Sequence, residues 1–315
     1  MKYAQSVVDL IGGTPLVRLG RVATPGRGAV WVKHEASNPG GSVKDRAALW
    51  MVRAAEEAGR LRPGGIIVEP TSGNTGIGIA LVAALRGYQA VICLPATASS
   101  ERTALLRAYG ARVELSPPDD GMQGAIAMAE TILARTPGAV MLQQFENEAN
   151  PRAHVESTGP EIVEALGDDA ARLRAFVATA GTGGTLTGTG RYLKAHVPGI
   201  RIVAVEPSSS PVLSGGAAGR HRIPGMGPGF IPAILDRTVI DAIETITDDA
   251  AIEMARRLMT QEGLLAGPSS GAAVSAAVRV AERLDAGECV VTLLPDTGER
   301  YVSTEAFDPV RPGGG

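Results

Sequence analysis

Apolar residues along the chain gather in short runs rich in Val, Ile and Leu, and longer stretches of Ala, Leu, Glu and Arg separate them. The runs "AVWVKHE" (29–35), "GIIVEP" (65–70), "QAVICLP" (89–95), "ARVELS" (111–116) and "AVMLQQF" (139–145) read as buried strands. Between them, helical patterns cover about 44–58, 75–86, 100–109 and 122–135, several stopping at a glycine (Gly59, Gly87, Gly110). The alternation resumes with "AFVATA" (175–180), a helix from about 185, "IRIVAVEP" (200–207), helices near 248–262 and 270–284, and "ECVVTLLP" (288–295). Strand–helix–strand repetition demands parallel sheets covered by helices, hence an α/β fold. Two such series predict two doubly wound three-layer α/β/α lobes rather than one barrel. A Gly- and Pro-rich segment, 206–232, interrupts the second series and reads as a surface loop. The tail "RPGGG" reads as frayed.

Composition narrows the function. The 315 residues carry 30 basic and 33 acidic side chains, a net charge of −3, and 3% aromatics. Such a surface offers nucleic acid neither a basic patch nor a stacking platform. No stretch is apolar enough to span a membrane, and "MKYAQSVVDLIGGTP" lacks the core of a signal peptide. Cys93 and Cys289 lie in strand-like apolar runs, where they read as small buried hydrophobes. His34, His154, His196 and His221 show no metal-ligand spacing. The expectation is a cytoplasmic, metal-free protein.

Ligands of doubly wound folds sit at the C-terminal ends of the strands, so the loops there matter most. "EPTSGNTGIG" (69–78) packs hydroxyl, amide and backbone donors before an apolar helix, a place for an anion such as a carboxylate. "TAGTGGTLTG" (179–188) has the glycines and threonines of a phosphate cup. It is no dinucleotide fingerprint, since the sixth position counted from Gly181 is Leu186 and not glycine. "AGPSSGAA" (266–273) opens a small-residue helix with Ser269 or Ser270. In "LLPDTGERY" (293–301), Asp296 can cap, orient another loop or bind ligand. Finally "NPGGSVKDR" (38–46) sets Lys44 in a glycine-rich turn at a helix start. A lysine, a phosphate cup and a hydroxyl at a helix start together suggest pyridoxal 5′-phosphate, with the lysine forming a Schiff base to its aldehyde.

With "IGGTPLVRL" at one end and "LLPDTGERYVST" at the other, these motifs and "STGPEI" (157–162) follow in one order over nearly the whole chain. In this the chain resembles the cysteine synthase (O-acetylserine sulfhydrylase) family of fold-type II, tryptophan synthase β-like enzymes. The resemblance implies a cofactor cleft between two lobes: a smaller, mobile one from 1–12 and 36–148, and a larger one from 13–35 and 149–315. It implies that Lys44 carries the cofactor and acts as base. Asn74 would bond the ring 3′-oxygen, Gly181, Thr182, Gly183, Gly184 and Thr185 the phosphate, and Ser269 would face the ring nitrogen. Thr71, Ser72, Thr75 and Gln144 would hold the substrate carboxylate, and Gly225 would line the other side. The implied reaction is β-replacement: O-acetyl-L-serine and sulfide give L-cysteine and acetate through an α-aminoacrylate.

The family's members are usually homodimers, and some bind the C-terminal tail of serine acetyltransferase. Gly13, Glu148 and Pro268 depart from the family pattern, and Pro268 leaves Ser270 as a second candidate ring-nitrogen partner. Arg220 and Arg222 in "GRHRIPG" keep O-phosphoserine open as donor, although solvated loop charges are the simpler reading. Cystathionine β-synthase shares the motifs, but the chain ends soon after Asp296, without room for an appended regulatory domain. A nicotinamide-dependent dehydrogenase is disfavoured by the failed fingerprint.

Overall fold

A computed structural model describes residues 3–71 and 73–307. The chain runs through β1 (Leu16–Arg18), β2 (Ala29–His34), α1 (Lys44–Glu57), β3 (Ile66–Pro70), α2 (Asn74–Arg86) and β4 (Gln89–Pro95). It continues with α3 (Ser100–Ala108), β5 (Arg112–Ser116), α4 (Gly121–Arg135) and the two-residue β6 (Val140–Met141). Two short helices, α5 (Ala149–Ala153) and α6 (Gly159–Leu166), lead to β7 (Leu173–Thr179), α7 (Gly184–His196), β8 (Arg201–Pro207) and β9 (Ala242–Ile246). Last come α8 (Asp248–Arg257), α9 (Pro268–Ala281) and β10 (Cys289–Leu294).

The strands form two sheets. One has the order β1-β2-β10-β7-β8-β9 and is parallel except for β1; the other, β5-β4-β3-β6, is wholly parallel. Each is apolar on both faces, as sheets sandwiched between helices must be. In the larger sheet Ala175, Val177, Val203, Val205 and Val290 pack towards α8 and α9, while Phe176, Ala178, Ile202, Ala204 and Val291 pack towards α6 and α7. In the smaller sheet Ile67 and Ile92 meet α1 and α2, and Val68, Val91 and Cys93 meet α4. The predicted three-layer α/β architecture is thus the observed one. The larger sheet takes strands from both before and after the smaller one.

Several elements depart from the sequence expectation. The strand predicted over 139–145 stops at Met141, because the Glu69 carboxylate takes the backbone N–H groups of Leu142 (2.9 Å), Gln143 (3.0 Å) and Gln144 (2.9 Å) that a strand would need. The helix predicted to 262 ends at Arg257 and widens into a π turn over Leu258–Glu262, whose Glu262 side chain receives the N–H groups of Gly20, Arg21 and Val22. β1, β9, α5 and α6 are too short or too weakly periodic to be seen in the sequence. Of segment 206–232, the first two residues complete β8 and the rest has no helix or strand but is packed in part: Ile223 and Met226 are buried, and Glu206 receives the N–H groups of Leu213 and Ser214. The "RPGGG" tail lies outside the described residues. No described helix is long and apolar enough to cross a membrane.

Candidate active site

The C-terminal ends of β3, β7 and β10 converge on a cavity of about 290 Å³. Lys44, the first residue of α1, projects into it. The turn before it is pinned to the end of β10 by the Val43 N–H bond to the Pro295 carbonyl (2.8 Å) and by the Ser42–Asp296 bridge. The Lys44 amine has no hydrogen-bond partner among the described residues. Burial lowers its pKa against the pull of Asp296 and Glu35, which favours a neutral, nucleophilic amine.

At one end lies the glycine cup. Gly183 adopts the left-handed conformation (φ 89°) as the N-cap of α7, aiming the free N–H groups of the first turn into the cavity. A Cβ at Gly181 would run into the Gly225 carbonyl, and one at Gly184 into the Asn150 side chain. Asn150 Nδ2 donates to the Thr182 hydroxyl (3.1 Å), and the Thr185 hydroxyl lies 3.1 Å from His154 Nε2. Burial, with the charge of Arg46, holds the His154 ring down to about 3 and therefore neutral. Net attraction for an anion comes here from backbone dipoles.

Opposite lies the loop after β3. Thr71 Oγ1 accepts the Gly73 N–H (3.0 Å), Thr75 Oγ1 donates to Gln144 Oε1 (2.6 Å), and Gln144 Nε2 donates to the Pro70 carbonyl (3.1 Å). Asn74 opens α2, with Nδ2 donating to Asp296 (2.7 Å) and Oδ1 accepting from Arg300 (2.6 Å). Ser72 lies outside the described residues. Ser269 lines the cavity at the second position of α9, after the Gly267 N-cap and Pro268, which suits a first helical position. Ser270 does not line it, and its buried hydroxyl has no partner among the described residues. Gly225 and Met226 close the far side.

Lys44, Asn74, Gly181, Thr182, Gly183, Thr185, Ser269, Thr71, Thr75, Gln144 and Gly225 therefore line a single cavity, with Gly184 in the turn beneath it. An amine, an anion cup, an amide and a hydroxyl around one apolar-walled space fit the aldehyde, phosphate, phenolic oxygen and ring nitrogen of pyridoxal phosphate. Arg220 and Arg222 are not part of this lining; Arg222 is held on the surface by Asp249 (2.5 Å), Glu305 (3.0 Å) and Asp248 (3.4 Å).

Sequence reasoning missed Arg102, which lines the cavity at 7% exposure and donates to the Tyr301 hydroxyl (2.7 Å). Its signal was a charge on the apolar face of α3, one turn from Leu106. It also missed the supports Glu69, Asn150 and His154.

A family model described as "Pyridoxal-phosphate dependent enzyme" matches residues 7–296. A probable cysteine synthase of Bacillus subtilis (strain 168) is 50% identical over 307 residues, covering 98% of this chain and 99% of the relative. Among solved structures, O-ureido-L-serine synthase superposes with a TM-score of 0.94 at 46% identity, covering 99% of this chain and 98% of that one. A cysteine synthase from Entamoeba histolytica does so with 0.92 at 38% identity, covering 100% and 93%. With the cavity's chemistry and these likenesses in agreement, the chain belongs to the pyridoxal-phosphate dependent enzyme family.

Proposed function

We propose that the protein is a cysteine synthase, converting O-acetyl-L-serine and sulfide to L-cysteine and acetate. The observation that carries this reading is the Lys44 amine, with no hydrogen-bond partner among the described residues, between an anion cup and a loop of neutral donors. Pyridoxal phosphate, when bound, supplies the electron sink that makes an amino acid's Cα proton removable. Lys44 holds the cofactor and then takes that proton. The glycine cup from Gly181 to Thr185 holds the phosphate. Thr71, Ser72, Thr75 and Gln144 receive the substrate carboxylate at the N-terminus of α2, and Ser269 offers the ring nitrogen a neutral hydroxyl. The segment 1–12 with 36–148 acts as a smaller lobe closing on 13–35 with 149–315. With Arg222 bound by three carboxylates, an acetyl leaving group is favoured over a phosphate.

The test is spectroscopic. Protein loaded with pyridoxal phosphate absorbs in the visible, O-acetylserine changes that band, and Lys44→Ala keeps the fold but loses turnover. A protein left colourless after incubation with the cofactor sinks the reading. O-acetylserine, O-phosphoserine and serine in one cuvette identify the donor. The likeness to O-ureido-L-serine synthase makes hydroxyurea the competitor to run against sulfide.

The working unit is a cytoplasmic homodimer, which sedimentation of the pure protein checks by mass. Its cleft accepts the C-terminal tail of a serine acetyltransferase. A peptide ending in isoleucine that leaves the cofactor's fluorescence unchanged counts against that partner.

A further inference from the structure

Behind Asn74 runs a string of polar side chains that the proposed reaction does not itself use. Arg102 Nη2 donates to the Tyr301 hydroxyl (2.7 Å), which donates to Asp296 Oδ2 (2.6 Å). The same oxygen accepts from Asn74 Nδ2 (2.7 Å), and Arg300 Nη1 donates to Asn74 Oδ1 (2.6 Å). Arg300 is itself anchored by a bond to the Gly40 carbonyl. Asp296 is fully buried, with Oδ1 packed against Gly267, where a Cβ would collide with it.

A carboxylate can only accept and a guanidinium can only donate. The amide of Asn74 therefore has one permitted orientation: carbonyl towards Arg300, one N–H towards Asp296. One N–H remains for the cavity. We propose that Asp296 is a positioning residue which, with Arg300, polarises Asn74 so that it presents a hydrogen-bond donor to the cavity. The inference rests on the pyridoxal phosphate reading. A donor at that place stabilises the ionised phenolic oxygen of the bound cofactor, the state that absorbs in the visible.

The experiment titrates the cofactor-loaded protein and two variants, Asp296→Asn and Arg300→Met, recording absorbance, cofactor affinity and thermal unfolding. Asn at 296 is nearly isosteric but can present a donor where only an acceptor fits. Both variants are expected to lose visible absorbance to the near-ultraviolet form. Both should also bind pyridoxal phosphate about tenfold more weakly, the size of one hydrogen bond to a charged group. Variants that unfold at lower temperature yet keep the wild-type band ratio and affinity overturn the proposal, leaving Asp296 a merely structural residue. A colourless wild-type protein overturns the cofactor reading and this inference together, whereas a yellow wild type with unchanged variants overturns this inference alone.

Discussion

The imidazole of His154 stands behind the glycine cup, with Nε2 3.1 Å from the Thr185 hydroxyl and Nδ1 2.8 Å from that of Thr158. Its folded pKa of about 3 lies below the ordinary 6.5, because burial and the charge of Arg46 disfavour the cation. Between those values the unfolded chain binds a proton that the folded protein refuses. This contribution to stability is therefore complete above 6.5 and lost as pH falls towards 3. Nitrogen NMR of the ring is expected to show one neutral tautomer from pH 8 to 5, and a midpoint near 6.5 would contradict it. In the sequence His154 was an unremarkable histidine, because its partner Thr185 is brought to it only by the packing of α7 on the turn after α5. The places of Lys44 and Asn74 on the cavity were legible for the opposite reason: each opens a helix directly after a glycine-bearing turn, so local sequence states where it sits.

At the scale of elements, the loop after β6 shows how a strand is cut short to build a binding surface. Three successive N–H groups, those of Leu142, Gln143 and Gln144, converge on the Glu69 carboxylate, and Gln143 takes a positive φ of 60° to allow it. Gln144 is thereby held against Thr75. Burial pushes Glu69 up to about 7 although the three donors favour its charged form. Its grip on the loop thus tightens as pH rises through about 7. Glu69→Gln keeps the shape but loses the charge and an acceptor. KM for O-acetylserine is expected to rise roughly tenfold, with kcat changed much less, since bonds to charged groups are the stronger ones. The pH dependence of KM near 7 should flatten in the variant. A variant with wild-type KM would show that the loop holds its shape without Glu69. The apolar run "AVMLQQF" could not reveal this ending, because the residue that stops the strand lies in β3, 73 positions before Leu142 and itself inside a strand-like run. β3, β4, β7, β8 and β10 were legible because they are buried and apolar almost throughout, as β1 and β9 are not.

At the scale of the molecule, the two sheets are joined behind the cavity by a largely buried charged cluster, of which only Glu161 is partly exposed. Arg46 of α1 donates through Nε and Nη2 to Glu35 (2.7 and 2.9 Å) and through Nη1 and Nη2 to Glu161 of α6 (2.7 Å each). Lys33 of β2 reaches Glu161 (2.7 Å) and the Thr14 hydroxyl (2.7 Å). Two cations face two carboxylates, and Glu35 is held down to about 2 chiefly by Arg46, against its burial. Its share of stability is thus present above its ordinary 4.5 and lost as pH falls towards 2. The cluster fixes the first turn of α1 against the larger sheet, and so also the direction from which Lys44 enters the cavity. Removing one member leaves a buried charge without its partner, which costs far more than the intact pair contributes. Arg46→Met is therefore expected to destabilise the protein by about 3–5 kcal/mol in urea unfolding. Arg46→Lys should recover little of this, since an ammonium cannot reproduce the two-carboxylate fork. Adding Glu35→Gln to Arg46→Met should cost much less than the sum of the two single changes, because the second removes the charge that the first stranded. If Arg46→Met falls within about 1 kcal/mol of wild type, water reaches the cluster and the two halves are held together by their apolar packing alone.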